Sequence, residues 1–167
     1  MVTDFFIKIE GVDGESNEKN HSKWIELISF SHGSVQNVAV GRAAEVSGRG
    51  QFTPFSFIHL VDKATPKLQQ YCMTGQKINK VEFQACRSIG GSQVPVYEIT
   101  LENVKISKAE VQTIEQDTSS NTGDKAYQAV EKIEMIAAKQ TWKVTPIKTD
   151  NTKDGAVEAS FDQSTNG

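Results

Sequence analysis

The chain has 167 residues, with 18 Lys or Arg against 21 Asp or Glu, which gives a formal net charge of −3. This length suits one domain with a sizeable core, or one domain followed by a tail. The basic residues are scattered singly and are not interleaved with aromatic residues, so we expect no nucleic-acid partner.

The first ten residues lack the basic segment and the uninterrupted apolar run of a secretion signal, since Asp4, Lys8 and Glu10 break the apolar pattern. The sequence also has no run near the roughly 18 apolar residues that cross a membrane. We therefore expect a cytoplasmic protein without membrane insertion, which is secreted without a signal peptide if it leaves the cell.

The first predicted strand, residues 4–10, alternates its side chains between two faces. Residues 11–23 are rich in Gly, Ser, Asn and charge, which predicts a long exposed loop, and loops of this length often have a function. Residues 24–31 (WIELISFS) are apolar on both faces, the pattern of a strand covered on two sides. Either a neighbouring copy or the chain's own helix can supply the second cover. A short, weaker strand is predicted at residues 34–40.

A predicted strand over residues 50–61 leads into a helix at about residues 65–74. Thr65 is the expected N-cap, because its hydroxyl can accept a backbone N–H, and Pro66 is tolerated in the first helical turn. Gly75 is expected to end the helix in a left-handed conformation.

The second half of the chain predicts further antiparallel strands. Residues 81–87 alternate well, a tight Gly-Gly turn follows at residues 90–92, and residues 94–102 return. The β-like pattern continues over residues 103–114, and a polar hairpin loop is expected at residues 117–124.

Residues 130–138 (VEKIEMIAA) have helical propensity but no clean helical stripe, and they run directly into an evident strand around Trp142, so we interpret them as strand. About eight short strands and one helix predict a mainly β fold, an antiparallel β-barrel with the helix covering one end or side. We assign residues 1–147 to this domain and residues 148–167 to a loosely attached polar tail.

The sequence offers no catalytic constellation, so we expect no enzyme, no cofactor and no metal site. Its three histidines have no ligand partner at the spacing of a zinc motif, and no Gly-x-Ser-x-Gly nucleophile motif is present. His59 is expected to be a satisfied core or edge residue. Cys72 and Cys86 are expected to be reduced, buried thiols, although the sequence leaves a bridge between them open.

Several segments, taken in order, share the pattern of a known family. They are residues 4–16 (DFFIKIEGVDGES), 21–27 (HSKWIEL), 29–33 (SFSHG), 62–68 (DKATPKL) with Gly75, 103–107 (NVKIS), Trp142 and 160–166 (SFDQSTN). In these segments the chain resembles the haemolysin-coregulated protein (Hcp) family, the tube subunit of the type VI secretion system.

The resemblance implies a β-barrel with one helix, six copies of which form a ring. Rings would stack head to tail into a tube that a contractile sheath propels into a target cell, with small effectors in the lumen. Sheath, spike and effector proteins are the implied partners. Two alternatives stay open: a phage-type tail-tube subunit with the same architecture, and a stand-alone β-barrel that binds a small ligand.

The loop at residues 11–23 is our candidate for the contact between rings, with Gly14, Glu15, Ser16 and His21 as its proposed residues. Stacked rings need a contact that repeats without closing, and an exposed loop is a suitable place for it. The alternative is a merely solvated loop.

Overall fold

The computed structural model describes residues 3–40, 44–46, 49–116 and 126–167. The elements found there are β1 (Thr3–Ile9), β2 (Ile25–Leu27), β3 (Ser29–Val35), β4 (Val38–Val40), β5 (Ala44–Val46), β6 (Gln51–Leu60), α1 (Thr65–Thr74), β7 (Ile78–Ile89), β8 (Ser92–Gln116), β9 (Ala126–Val144) and β10 (Val157–Asp162).

Eight of the strands form one antiparallel sheet in the order β2-β1-β7-β8-β9-β6-β3, with β10 added beside β9, while β4 and β5 pair separately. The edge strands β2 and β3 are separated along the chain by Ile28 alone. The Ile28 N–H donates to the carbonyl of Ile58 in β6, at 2.8 Å. The sheet therefore curls until its two edges meet at one chain segment.

The predicted mainly β, antiparallel fold with one helix is confirmed. The predicted barrel differs in one respect, because the sheet is not closed. Among the strand pairings of the described residues, none joins β2 to β6, so the curled sheet is open along a seam beside Ile28. A strand edge at such a seam offers unpaired backbone groups, which makes it a place where another chain can bind.

Large apolar side chains fill the interior of the curled sheet. Phe55, Phe57, Phe83, Leu101 and Ile133 are at most 1% exposed. Each such side chain stabilises the fold by about 1.5–3 kcal/mol relative to an exposed position. These side chains occupy the centre of the curled sheet.

Helix α1 has the predicted bounds and the predicted end, since Gly75 is left-handed with φ 67°. The prediction that Thr65 is the N-cap is wrong. Ala64 occupies that position, and Thr65 Oγ1 accepts from the N–H of Asp62 at 3.2 Å, so its hydroxyl holds the preceding turn instead. Nowhere in the described ranges is a helix long and apolar enough to cross a membrane.

The strands of the second half are longer than the sequence suggested. β8 has 25 residues and β9 has 19, and they pair in an antiparallel ladder whose register shifts between Ile106 and Lys108. The ambiguous residues 130–138 lie within β9, so their interpretation as strand is confirmed. The tight turn is formed by Gly90 and Gly91, with φ of 57° and 80°. The hairpin loop expected at residues 117–124 lies outside the described residues.

The C-terminal segment is polar, as expected, but its predicted loose attachment is wrong for β10. This strand pairs with residues 139–144 of β9. Its Phe161 ring lies 6.1 Å from the Phe52 ring, centroid to centroid, and supplies an apolar anchor in an otherwise polar segment. The domain boundary placed after residue 147 stays a prediction.

Candidate assembly surface

The N-terminal loop, residues 11–23, is folded back on itself. The Gly14 N–H donates to the Lys23 carbonyl at 2.7 Å, and the Lys23 N–H donates to the Ser16 carbonyl at 2.9 Å. The Ser16 N–H donates to the Trp24 carbonyl at 3.0 Å. These bonds satisfy the backbone within the loop and hold it in one conformation. The expectation of a simply exposed loop is therefore only partly right.

His21 anchors this loop to the sheet. Its side chain is 2% exposed, and its ring stacks on Phe6 of β1 with centroids 4.2 Å apart. The edge of the ring contacts Trp24, and Nδ1 contacts the carboxylate of Glu18. Nε2 lies 2.7 Å from Oε1 of Gln84 in β7. An aromatic stack and two polar contacts thus fix one buried side chain between the loop and β7.

The four residues proposed for the contact between rings are close along the chain but differ in exposure. Gly14, Ser16 and His21 are buried, whereas Glu15 is exposed. A single chain does not test whether they join rings, so their role stays a prediction. Glu15 is the member of the set whose side chain is placed to reach a partner.

A groove of about 390 Å³ lies beside the seam of the sheet, and we call it the seam groove. Its floor is apolar: Ile28, Leu60 and Val61 are 46%, 44% and 42% exposed. Its rim is acidic, from Glu15, Glu26 and Asp62. Exposed apolar side chains that lie together inside a polar rim are typical of a protein contact.

The seam groove bears on the two alternatives for the apolar strand at residues 24–31. Ile28 stays exposed, while α1 packs chiefly against β8. The chain's own helix therefore does not cover Ile28, and cover by a neighbouring chain stays a prediction. Ile25 and Leu27 face the core.

A second pocket, the mouth pocket, has a volume of about 540 Å³ and lies where β6 begins. Phe52, Trp142 and Phe161 form its aromatic wall, with the Phe52 and Trp142 centroids 6.0 Å apart. Arg49 supplies the charge among the residues that line it. The sequence predicted neither pocket, and the apolar pair Leu60-Val61 at the end of a strand was the available signal for the seam groove.

A buried charged cluster joins β6, β9 and the approach to α1. His59 and Glu131 are both 0% exposed and lie opposite each other in the ladder, with Nε2 2.8 Å from Oε1. Gln69 of α1 donates to the other Glu131 oxygen at 2.7 Å, and Asp62 lies 3.7 Å from His59 Nδ1. Burial lowers the pKa of His59, but hydrogen bonds and charge from Asp62 and Glu131 outweigh it, so the pKa is raised. His59 is a core residue, as predicted, but it is not fully satisfied, because its buried Nδ1 has no hydrogen-bond partner within 3.5 Å among the described residues.

Glu18, His21 and Cys86 resemble the order of groups in a cysteine hydrolase, with Cys86 Sγ 3.7 Å from His21 Nε2. Burial, followed by the charges of Glu18, Glu98 and Asp4, raises the pKa of the Cys86 thiol to about 12. A catalytic cysteine needs a lowered pKa and access to substrate, whereas Cys86 is 0% exposed. The arrangement is therefore suited to packing rather than to nucleophilic attack.

The two cysteines are free, in agreement with the expectation of reduced thiols. Cys86 is buried and Cys72 is half-buried. Among the described residues, no group of three or more His, Cys, Asp or Glu is arranged to hold a metal ion.

Comparison with known proteins assigns the chain to a protein family. The family model "Type VI secretion system effector, Hcp" matches residues 6–144, which is most of the 167 residues. The chain belongs to the Hcp family. It is accordingly a tube protein of the type VI secretion system, a structural component of that machinery.

Individual relatives agree with this placement. Protein hcp1 of Pseudomonas aeruginosa is 28% identical over 156 residues, which cover 93% of this chain and 91% of that protein. A solved structure of a type six secretion system protein has a TM-score of 0.84 at 21% identity and covers 99% of each chain. The crystal structure of Hcp1 from Salmonella typhimurium has a TM-score of 0.72 at 20% identity and covers 99% of this chain and 97% of that one. At these identities, the solved structures establish the fold.

Proposed function

We propose that six copies of this chain form a ring and that rings stack head to tail into the inner tube of a type VI secretion system. The observation that carries this proposal is the family match over residues 6–144 on a fold with two unlike exposed surfaces. Such a tube would contact sheath and spike proteins and carry small effectors in its lumen.

The two surfaces lie at opposite ends of β6, which supports head-to-tail contact. The mouth pocket includes Gln51 and Phe52, where the strand begins, and the seam groove includes Leu60, where it ends. The nine steps from Gln51 to Leu60, at about 3.3 Å each, separate the two surfaces by about 30 Å. A heterologous contact needs two different surfaces on one chain, and a contact along the tube axis repeats without closing.

The charges of the two surfaces are complementary. The seam groove carries Glu15, Glu26 and Asp62 around an apolar floor, whereas the mouth pocket carries Arg49 beside its aromatic wall. Opposite charge across a contact favours the correct pairing and disfavours contact between two like ends. Glu15 therefore belongs both to the N-terminal loop, the predicted stacking element, and to the acidic rim of the seam groove.

Reversing the charge of Glu15 tests this role. We expect Glu15→Lys to leave rings intact and to raise the protein concentration needed for tubes by about tenfold. The new lysine would face Arg49 of the next ring, and repulsion between like charges costs more than the loss of an attraction. Glu15→Gln is the matched control of the same shape and should weaken tubes less. Negative-stain imaging measures the abundance of tubes. If Glu15→Lys tubes are as abundant as wild-type tubes, Glu15 does not take part in the stacking contact.

We further propose that the role is structural rather than catalytic and that the secretion apparatus exports the chain. The buried, protonated Cys86 thiol supports the first part. The side chains that fill the interior also argue against the stand-alone ligand-binding barrel. A phage-type tail tube would share the architecture, but the matching family model favours type VI secretion.

A further inference from the structure

The end of strand β6 presents two large apolar side chains to the outside. Leu60 and Val61 are 44% and 42% exposed. The Val61 N–H donates to the Ala129 carbonyl at 3.1 Å, so the pairing with β9 continues past the end of β6 and fixes the backbone there. Asp62 follows on the acidic rim of the seam groove. We call residues 60–62 the β6 ridge, because they form one bank of that groove.

The mouth pocket is an apolar recess whose walls are also fixed. The Phe52 ring stands at 75° to Trp142 and at 86° to Phe161, and all three residues are half-buried. The Trp142 Nε1–H donates to Oε1 of Gln140 at 3.1 Å, and Gln140 is 1% exposed, so the indole is held in place. Among the described residues that line the pocket, none is acidic. The pocket therefore suits an apolar guest with negative charge beside it.

The seam groove and the mouth pocket are both recessed, so two copies cannot meet there unless a raised part of one enters the recess of the other. The β6 ridge is such a part, since its two apolar side chains keep a large exposed surface. We propose that the β6 ridge of one copy inserts into the mouth pocket of a second copy, with its apolar side chains against the aromatic wall and the acidic rim beside Arg49. The proposal rests on the function proposed above, because it names the contact through which rings would stack.

Insertion of the ridge removes apolar surface from water on both sides of the contact. Leu60 and Val61 lose exposed area on one copy, and the three rings of the mouth pocket lose it on the other. Aromatic side chains in a recess are typical anchors of protein contacts. Because the hydrogen bonds described above fix both surfaces beforehand, little conformational freedom is lost on binding.

Charge determines which ends of two copies can meet. Arg49 is exposed at the mouth pocket. Three carboxylates surround the seam groove, those of Glu15, Glu26 and Asp62. Insertion of the ridge brings these opposite charges together, whereas two seam grooves that faced each other would bring the carboxylates of both copies together, which is unfavourable. The contact is therefore heterologous, as head-to-tail stacking requires.

Trp142 reports directly on whether the mouth pocket is filled. The chain has two tryptophans, so Trp24→Phe leaves Trp142 as the only one and keeps an aromatic ring beside His21. Acrylamide quenching of the Trp142 fluorescence is measured in rings and in tubes of this protein. We expect the quenching constant in tubes to be roughly twofold lower than in rings, because the core of a protein contact excludes solvent.

Two matched variants test the ridge itself. Leu60→Ser should raise the protein concentration needed for tubes by at least about tenfold, because every copy in a ring loses the same apolar contact. Val111→Ser is the control, since Val111 is 52% exposed and lines neither surface. For this control the concentration should stay within about twofold of wild type. Leu60→Ser tubes that form at the wild-type concentration overturn the ridge contact.

The outcomes separate the ridge contact from stacking in general. Tubes whose Trp142 is as accessible as in rings overturn the ridge contact, whereas stacking stands. If Leu60→Ser instead prevents the formation of rings, the ridge belongs to a contact within the ring, which also overturns the proposal. A chain that forms neither rings nor tubes contradicts the proposed function and the ridge contact together.

Discussion

At the scale of single residues, the N-terminal loop depends on a position where a side chain does not fit. A Cβ built on Gly14 would lie 2.4 Å from the Trp24 carbonyl oxygen, a backbone atom that cannot move aside cheaply. The close approach of the two segments is what allows the Gly14 and Ser16 amides to bond across the loop. Gly14 therefore has a structural reason to be glycine, independent of any contact with another ring.

Gly14→Ala should destabilise the fold by about 1–3 kcal/mol, the usual cost of forcing extra atoms into a packed site. Urea unfolding of the isolated chain measures it. Gly155→Ala is the matched control, because nothing lies within 4 Å of its added Cβ, and its effect should stay within about 0.5 kcal/mol. Equal stability of the two variants would contradict the close approach described for Gly14.

At the scale of elements, the buried charged cluster around His59 connects the end of β6 and the start of α1 to β9. Glu131 bonds His59 on one side and Gln69 on the other, so one buried carboxylate holds a strand and a helix together. Removing one partner from a buried pair leaves the other without its counter-charge, which is costly. The cluster thus stabilises the connection that leads from the seam groove into the helix.

His59→Gln should lower the free energy of unfolding by about 3–5 kcal/mol at acidic pH. The pKa of His59 is raised above its ordinary value of 6.5, so its stabilisation is complete below about 6.5 and is lost as the pH rises through the folded-state value. The deficit of the variant should therefore shrink towards about pH 9. Denaturant titrations at several pH values measure this trend.

His32→Gln is the control for that experiment. Burial lowers the pKa of His32. The contribution of His32 to the free energy of unfolding therefore falls only below about pH 6.5 and does not change with pH above that value. If the stability deficit of His59→Gln grows with rising pH, the predicted pH dependence of the stabilisation by His59 is wrong.

The sequence predicted these elements unevenly, for physical reasons. The helix end at Gly75 and the turn at Gly90-Gly91 were predictable because left-handed backbone favours glycine. Burial within the loop and the pairing of β10 were not, since both depend on partners far along the chain, such as Gln84 for His21 and Phe52 for Phe161. His21 looked like a loop residue because the sequence carries no sign of its contact with β7.

At the scale of the whole molecule, the proposed stacking would use the two unlike surfaces at the ends of β6. An acidic, apolar seam groove and an aromatic mouth pocket with Arg49 are unlike each other, so each copy can give one surface and receive the other. The open seam also shows why the barrel predicted from the sequence needed refinement. Strand patterns indicate alternation, but closure depends on where β2 and β3 part at Ile28.

Native mass spectrometry of the purified full-length chain tests the central claim most directly. A tube protein that assembles through rings should give a dominant species near six times the chain mass of 18.4 kDa, and this species should persist on moderate dilution. A clean 18.4 kDa monomer at high protein concentration would contradict the account.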